Sequence, residues 1–206
     1  MTLTRRPFDA AERHLAAVDD DWARLIETVG PYGLVPGRVR EPWQALVRAV
    51  AAQQLHGRAA DAIMARLLAR HGGDFPTPRQ LVDADPDALR ACGFSARKAD
   101  ALRGIAGGAL SGLVPGRDEA LALTDEVLAS RLTALRGVGR WTVDMLLMFT
   151  LERGDILPAD DFGVRDGYRR LKSLDALPTA RQIAALGAPW SPHRSAASWY
   201  LWRVPK

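Results

Sequence analysis

The chain has 206 residues, 48% of them hydrophobic, and a net charge of +4. A single cysteine, Cys92, excludes an internal disulfide framework and any zinc or iron–sulfur site built from four cysteines of this chain. No apolar run reaches the roughly 20 residues of a membrane span, and "MTLTRRPFDAAERH" lacks the apolar core of a secretory signal, so a cytoplasmic, reducing compartment is expected.

The basic side is almost all arginine, with lysine only at Lys98, Lys172 and Lys206. An arginine excess suits phosphate contacts, because the guanidinium fork pairs with them bidentately. A GC-rich genome that favours arginine codons would produce the same bias. The histidines His14, His56, His71 and His193 are scattered without metal-ligand spacing, so no metal site is expected from side chains.

In chain order the pattern is helix after helix. "FDAAERHLAAV" and "DDDWARLIETVG" predict short helices, the second ending at Gly30. "EPWQALVRAVAAQQ" predicts a helix opened by Pro42, with Leu46, Val47 and Val50 on its apolar face. "RAADAIMARLLARHGG" is amphipathic and stops at Gly72 and Gly73. Thr77 and Asp85 are expected to cap two short helices opened by Pro78 and Pro86. "SARKADALRGIAGGALSG" predicts a longer helix, and "LSGLVPGRDEALAL" a connector between two lobes. Thr124 caps "TDEVLASRLTAL", and "RWTVDMLLMFTLERG" is the most apolar helix, expected to run to about Arg153. "DDFGVRDGYRRLK", "PTARQIAALG" and "SPHRSAASWYLWRV" complete the chain, and no segment alternates as a strand would. The expected fold is therefore all-α. It reads as one domain over residues 1–206, with a helical lobe at about 45–135 and a second lobe made from the N-terminal helices and about 136–206.

"LRGVGRW", residues 135–141, interrupts the helical pattern with Gly137 and Gly139. A tight turn between two helices needs backbone conformations that glycine adopts cheaply. The following helix start offers its first amides and the positive end of its dipole to an anion such as a phosphate, with Arg140 at the rim. A dinucleotide fingerprint is excluded, because Thr142 stands where a third glycine is needed and no strand precedes. A plain helix end followed by a tight loop accounts for the glycines equally well.

Downstream residues add a second signal. Leu135, Gly137, Val138, Gly139, Trp141 and Thr142, followed by Pro158 and the Asp160–Asp161 pair, resemble the helix-hairpin-helix DNA glycosylases. "PWQALVRAVAAQQLHGRAA", "LRACGFSARKADAL" and "WSPHRSAASWYLWR" are similar to further segments of that family, so the resemblance runs over roughly residues 40–203. The branch it most resembles is 3-methyladenine DNA glycosylase II, in a compact form without an N-terminal β domain. The resemblance implies a two-lobed helical bundle with the active site between the lobes. It also implies base flipping in double-stranded DNA and hydrolytic release of alkylated purines such as 3-methyladenine and 7-methylguanine.

Residue by residue, the resemblance implies a catalytic Asp161, with Asp160 supporting it; locally, "ADDF" reads equally as an N-cap doublet. At about 1.5 Å per helical residue and 3.3 Å per extended residue, the chain from Arg140 is long enough to return Asp161 beside the hairpin. An ionised carboxylate there would stabilise the oxocarbenium-like sugar formed as the base leaves. Gly137, Val138, Gly139, Arg140 and Thr142 would hold the DNA backbone. Trp141, Trp202 and His56 would form the base pocket, an indole face being favourable for a cationic alkylated base. Gln53, Gln54 and Leu55 would enter the gap left by the flipped base, with His56 standing where serine is frequent; a helix cap is the plainer reading of this loop. Trp190 and Trp199 are expected in the core.

Strand-cleaving members carry a Schiff-base lysine at the position of Trp141, and an indole cannot attack the sugar. This argues against a glycosylase–lyase. A catalytically silent helix-hairpin-helix binder is the remaining alternative, against which a carboxylate facing phosphate-rich DNA counts. No cofactor is expected; the one ion the hairpin could take is a monovalent cation held by its carbonyls. The expected partner is duplex DNA carrying alkylated bases, bound by a monomer at the bacterial nucleoid.

Overall fold

A computed structural model describes residues 9–34, 40–55 and 57–206. The helices are α1 (Ala10–Ala16), α2 (Asp20–Val29), α3 (Pro42–Ala52), α4 (Gly57–Ala69), α5 (Pro78–Val82), α6 (Pro86–Ala91), α7 (Ala96–Ser111) and α8 (Arg117–Ala122). They continue with α9 (Asp125–Thr133), α10 (Arg140–Phe149), α11 (Phe162–Leu171), α12 (Ala180–Leu186) and α13 (Arg194–Leu201), with a 3-10 turn at Ala188–Trp190. Among the described residues there is no strand, and no helix is long and apolar enough to cross a membrane.

Short polar side chains start these helices where the sequence places them. Thr77, Asp85 and Thr124 accept hydrogen bonds from first-turn amides of α5, α6 and α9, satisfying donors that have no partner within the helix. Two expectations need correction. "LSGLVPGRDEALAL" is no bare connector, because it contains α8 and buries Val114 and Ala120. The apolar helix α10 ends at Phe149, short of Arg153, and Glu152 follows at a positive φ of 57°.

The chain divides into two compact units, one of residues 36–151 and one that joins the N-terminal segment to residues 152–206. The division falls after Leu151, later than the expected 135, so the glycine hairpin and α10 belong to the central unit. The cause is packing: α10 lies against α3 and α9, burying Val143, Leu146 and Leu147. In this unit α7 packs on α3, α5 and α6, with Leu102, Ile105 and Ala106 fully buried.

In the unit that carries both termini, the core is built on Leu15, Trp22, Ile26, Val164, Ile183, Trp190 and Tyr200. Trp190 and Trp199 are both buried, as expected. The Tyr200 hydroxyl lies 3.0 Å from both the buried Glu12 carboxylate and the Gly30 carbonyl, tying α13 to α1 and to the end of α2. α11 crosses α13 at Gly167, where a Cβ would lie 2.0 Å from the Leu201 carbonyl oxygen. That backbone contact leaves no room for a side chain, and it fixes the start of α11, where Asp161 sits.

Candidate active site

In the central unit, the turn after α9 places Gly137 at φ +86°, and a Cβ there would lie 2.7 Å from that of Ala101 on α7. Conformation and packing both demand glycine at this position. Gly139 differs from the expectation. Its backbone is extended, φ −98° and ψ 175°, and a Cβ would meet nothing within 4 Å. No internal contact calls for glycine at Gly139, the N-cap of α10, which has no side-chain cap bond. A bare helix start of this kind offers its first amides to an external anion.

The other hairpin residues divide their duties. Arg140 is exposed, and its Nε donates at 2.8 Å to Asp144 one turn along α10. Val138 and Thr142 are buried, so their side chains serve the interior. The Thr142 hydroxyl accepts a hydrogen bond from Gln53 Nε2 at 2.9 Å, and the same nitrogen donates to the Gly137 carbonyl at 3.0 Å. Gln53, expected in the wedge, thus turns its amide inward onto the hairpin. Gln54 and Leu55 are the exposed part of the turn, Gln54 at a left-handed φ of 57° and Leu55 41% exposed. His56 lies outside the described residues.

Trp141 is half-buried and lines an open cavity of about 380 Å³ with Met145 and Phe149, which follow at one-turn intervals on α10. Arg48 of α3 and Asp61 of α4 face the same space. Burial and the neighbouring Arg40 hold the Arg48 guanidinium below its ordinary pKa, opposed by Asp61. Trp141, Met145 and Phe149 give the cavity an aromatic and thioether wall on which a ring can stack.

In the unit that carries both termini, Asp161 is the N-cap of α11, and its Oδ1 accepts from the Val164 amide at 2.9 Å. The same oxygen accepts from Trp202 Nε1 at 2.8 Å. Asp161 therefore caps the helix, as the local reading of "ADDF" expects, and an indole donor orients its carboxylate. Trp202, expected as a base-pocket wall, is half-buried and makes this bond. Gly163 is required for the approach, because a Cβ would lie 2.7 Å from Trp202 Cδ1 and 3.0 Å from Asp161 Oδ1. Asp160 is exposed beside it.

The loop leading to Asp161 is pinned to the start of α13. Arg194 Nε and Nη2 donate to Asp155 at 2.7 and 2.9 Å, and Ser191 Oγ donates to it at 2.8 Å. Ser195 Oγ donates to the Arg153 carbonyl at 2.6 Å and accepts from the Ile156 amide at 3.0 Å. Burial alone would raise the Asp155 pKa, but the bonds from Arg194 and Ser191 hold it below the usual carboxylate range. A depressed carboxylate stabilises the fold above its unfolded pKa and loses that contribution as pH falls through the folded one. Asp155→Asn is therefore expected to lower stability at pH 7 by about 1 kcal/mol, a value reduced for solvent screening. Denaturant titrations of variant and wild type should converge as pH falls through the lowered folded-state pKa of Asp155.

Sequence reasoning missed Phe162, which follows Asp161 and is 68% exposed, the most exposed of the large hydrophobic residues described. Its signal was position alone, since an aromatic beside a candidate catalytic carboxylate can stack on a ligand. The two internal lysines are both engaged. Lys98 Nζ donates to the Ala51 and Gln53 carbonyls at 2.9 and 2.8 Å. Lys172 Nζ pairs with Asp19 and Asp21 at 2.7 Å; burial lowers its pKa, but the two carboxylates more than offset this and hold it raised. Among the described residues no group of three or more His, Cys, Asp or Glu side chains could hold a metal ion.

Residues 47–192 match the HhH-GPD superfamily base excision DNA repair protein family. The chain belongs to the HhH-GPD superfamily. Within it, the chain is 48% identical to DNA-3-methyladenine glycosylase 1 of Schizosaccharomyces pombe, over 95% of this chain and 87% of that protein. It is 34% identical to the alkylbase DNA glycosidase-like protein mag2 of the same organism, over 97% and 94% of the two chains. The fold matches the structure of the S. pombe 3-methyladenine DNA glycosylase Mag1 in complex with abasic DNA, with a TM-score of 0.90 and 47% identity, covering 95% of this chain and 96% of that one. The matched family region includes the Gly137–Gly139 turn, the Gln53 turn and Asp161.

Proposed function

We propose that this protein is a monofunctional DNA glycosylase that hydrolyses the N-glycosidic bond of alkylated purines in duplex DNA, opening base excision repair. The observation that carries the reading is an Asp161 carboxylate oriented by Trp202 Nε1 at the start of α11, in a chain that is 48% identical to a named 3-methyladenine glycosylase. That kinship sets aside a catalytically silent DNA-binding module. Asp161 stabilises positive charge on the sugar as the base departs and orients the attacking water. The α10 start at Gly139 receives a DNA phosphate, an open-space glycine allowing the backbone to approach closely. Gln54 and Leu55 enter the stack, and Trp141 stacks on the extruded base.

Strand cleavage requires an amine, and both internal lysines are committed elsewhere. An alkylated purine is cationic and leaves readily, so the reaction needs no cofactor. The enzyme acts as a monomer on DNA in the cytoplasm. The test is to incubate purified protein with methylated duplex DNA and chromatograph the free bases. Release of 3-methyladenine and 7-methylguanine, with strands intact until alkali is added, is expected. No released base, or direct strand scission, would contradict the reading.

A further inference from the structure

Three segments that the sequence presents as separate motifs meet in the central unit, and the proposed reaction leaves the meeting unused. The first is the end of α3 and its exposed turn, Gln53–Leu55. The second is the start of α7, where the Ser95 side chain caps the helix through the Lys98 amide. The third is the Gly137–Gly139 hairpin.

Lys98 is half-buried, and its Nζ donates to two carbonyls at the C-terminal end of α3, those of Ala51 and Gln53. Those carbonyls belong to the last turn, which has no partner within the helix, and a cation there also meets the negative end of the helix dipole. Burial lowers the Lys98 pKa, so the ammonium is held there at a desolvation cost. Gln53 then carries the connection onward through Nε2 to the Gly137 carbonyl and the Thr142 hydroxyl. One turn after Lys98, Ala101 is the surface on which Gly137 rests. α7 therefore supports the exposed turn through Lys98 and the hairpin through Ala101, while Gln53 joins turn to hairpin directly.

Gln54 bears the consequence. It holds a left-handed φ of 57°, a conformation that costs a non-glycine residue energy and persists only where its neighbours over-determine it. The residue before it is fixed at both its carbonyl and its side chain.

We propose that Lys98 and Gln53 form a clip that positions the Gln54–Leu55 wedge against the DNA-holding hairpin, and so act on base flipping rather than on bond cleavage. The clip rests on the glycosylase reading above. Neither residue reaches the reacting atoms, so both are positioning residues.

The test compares single-turnover release of 7-methylguanine opposite cytosine in a duplex with release of the same lesion from a bulge that has no partner base. A bulged base is already unpaired and needs little help to leave the stack. Lys98→Met and Gln53→Met are each expected to slow release from the paired site by about 10- to 100-fold, as misplacement of a positioning group does. Release from the bulge should stay close to the wild-type rate. The double variant should lose no more than the worse single one, because both act through the same turn. Equal losses on both substrates, additive losses, or no loss at the paired site would each overturn the clip. Wild-type protein that releases no base from either substrate would instead sink the glycosylase reading on which the clip rests.

Discussion

Asp161→Asn is expected to slow base release by about a hundred- to a thousandfold, the loss usual when preorganised stabilisation of developing charge is removed. The variant isolates charge from structure. Asparagine is as good an N-cap as aspartate, and its side-chain oxygen can still accept from the Val164 amide and Trp202 Nε1, as Asp161 Oδ1 does. Stability should therefore change by no more than about 0.5 kcal/mol. What disappears is the negative charge that an oxocarbenium-like sugar would feel. Single-turnover release from methylated DNA, beside thermal melts of both proteins, separates the two effects. A variant that melts like the wild type and retains its rate would show that Asp161 is a helix cap and nothing more.

Gly163→Ala is expected to slow release by about a hundredfold through geometry alone, with the carboxylate still present. An added Cβ would lie 2.7 Å from Trp202 Cδ1, 3.0 Å from Asp161 Oδ1 and 3.2 Å from Trp202 Nε1, so it crowds both partners of the 2.8 Å bond from one side. The indole or the carboxylate must move. Gly163 is the second residue of α11, so alanine recovers less than the roughly 1 kcal/mol it gains over glycine in a helix interior, while local crowding costs about 1–3 kcal/mol, and global stability should fall modestly. Duplex affinity should be unchanged, because the start of α10, proposed to receive the DNA phosphate, is in the other unit. A wild-type rate with a wild-type melting curve would mean that the Asp161–Trp202 contact does not set the reaction geometry.

Much of the fold is legible in the sequence because its signals are local. Thr77 before Pro78, Asp85 before Pro86 and Thr124 before Asp125 mark helix starts by chemistry that acts within four residues. The unit boundary is not local. It depends on α10 burying Val143, Leu146 and Leu147 against α3 and α9, and an apolar helix does not declare in advance which neighbour it will choose. The site divides the same way. Motif spacing singles out Asp161, Trp202, Gln53 and the hairpin glycines. It does not show that Trp202 donates to Asp161, or that Gln53 turns toward Gly137 rather than outward. The two glycines of "GVG" look alike as letters, yet Gly137 is fixed by a positive φ and by Ala101, and Gly139 by neither. Phe162 escaped notice because exposure is a property of the folded chain.

The central claim is that the Asp161 carboxylate stabilises positive charge on the sugar. It is tested most directly by binding rather than turnover. Wild-type protein and Asp161→Asn are each titrated with two duplexes, one bearing a cationic pyrrolidine in place of the target sugar and one bearing a neutral tetrahydrofuran. The wild type should prefer the cationic duplex, and that preference should collapse in the variant while affinity for the neutral duplex is kept. An equal preference in both proteins would contradict the assignment.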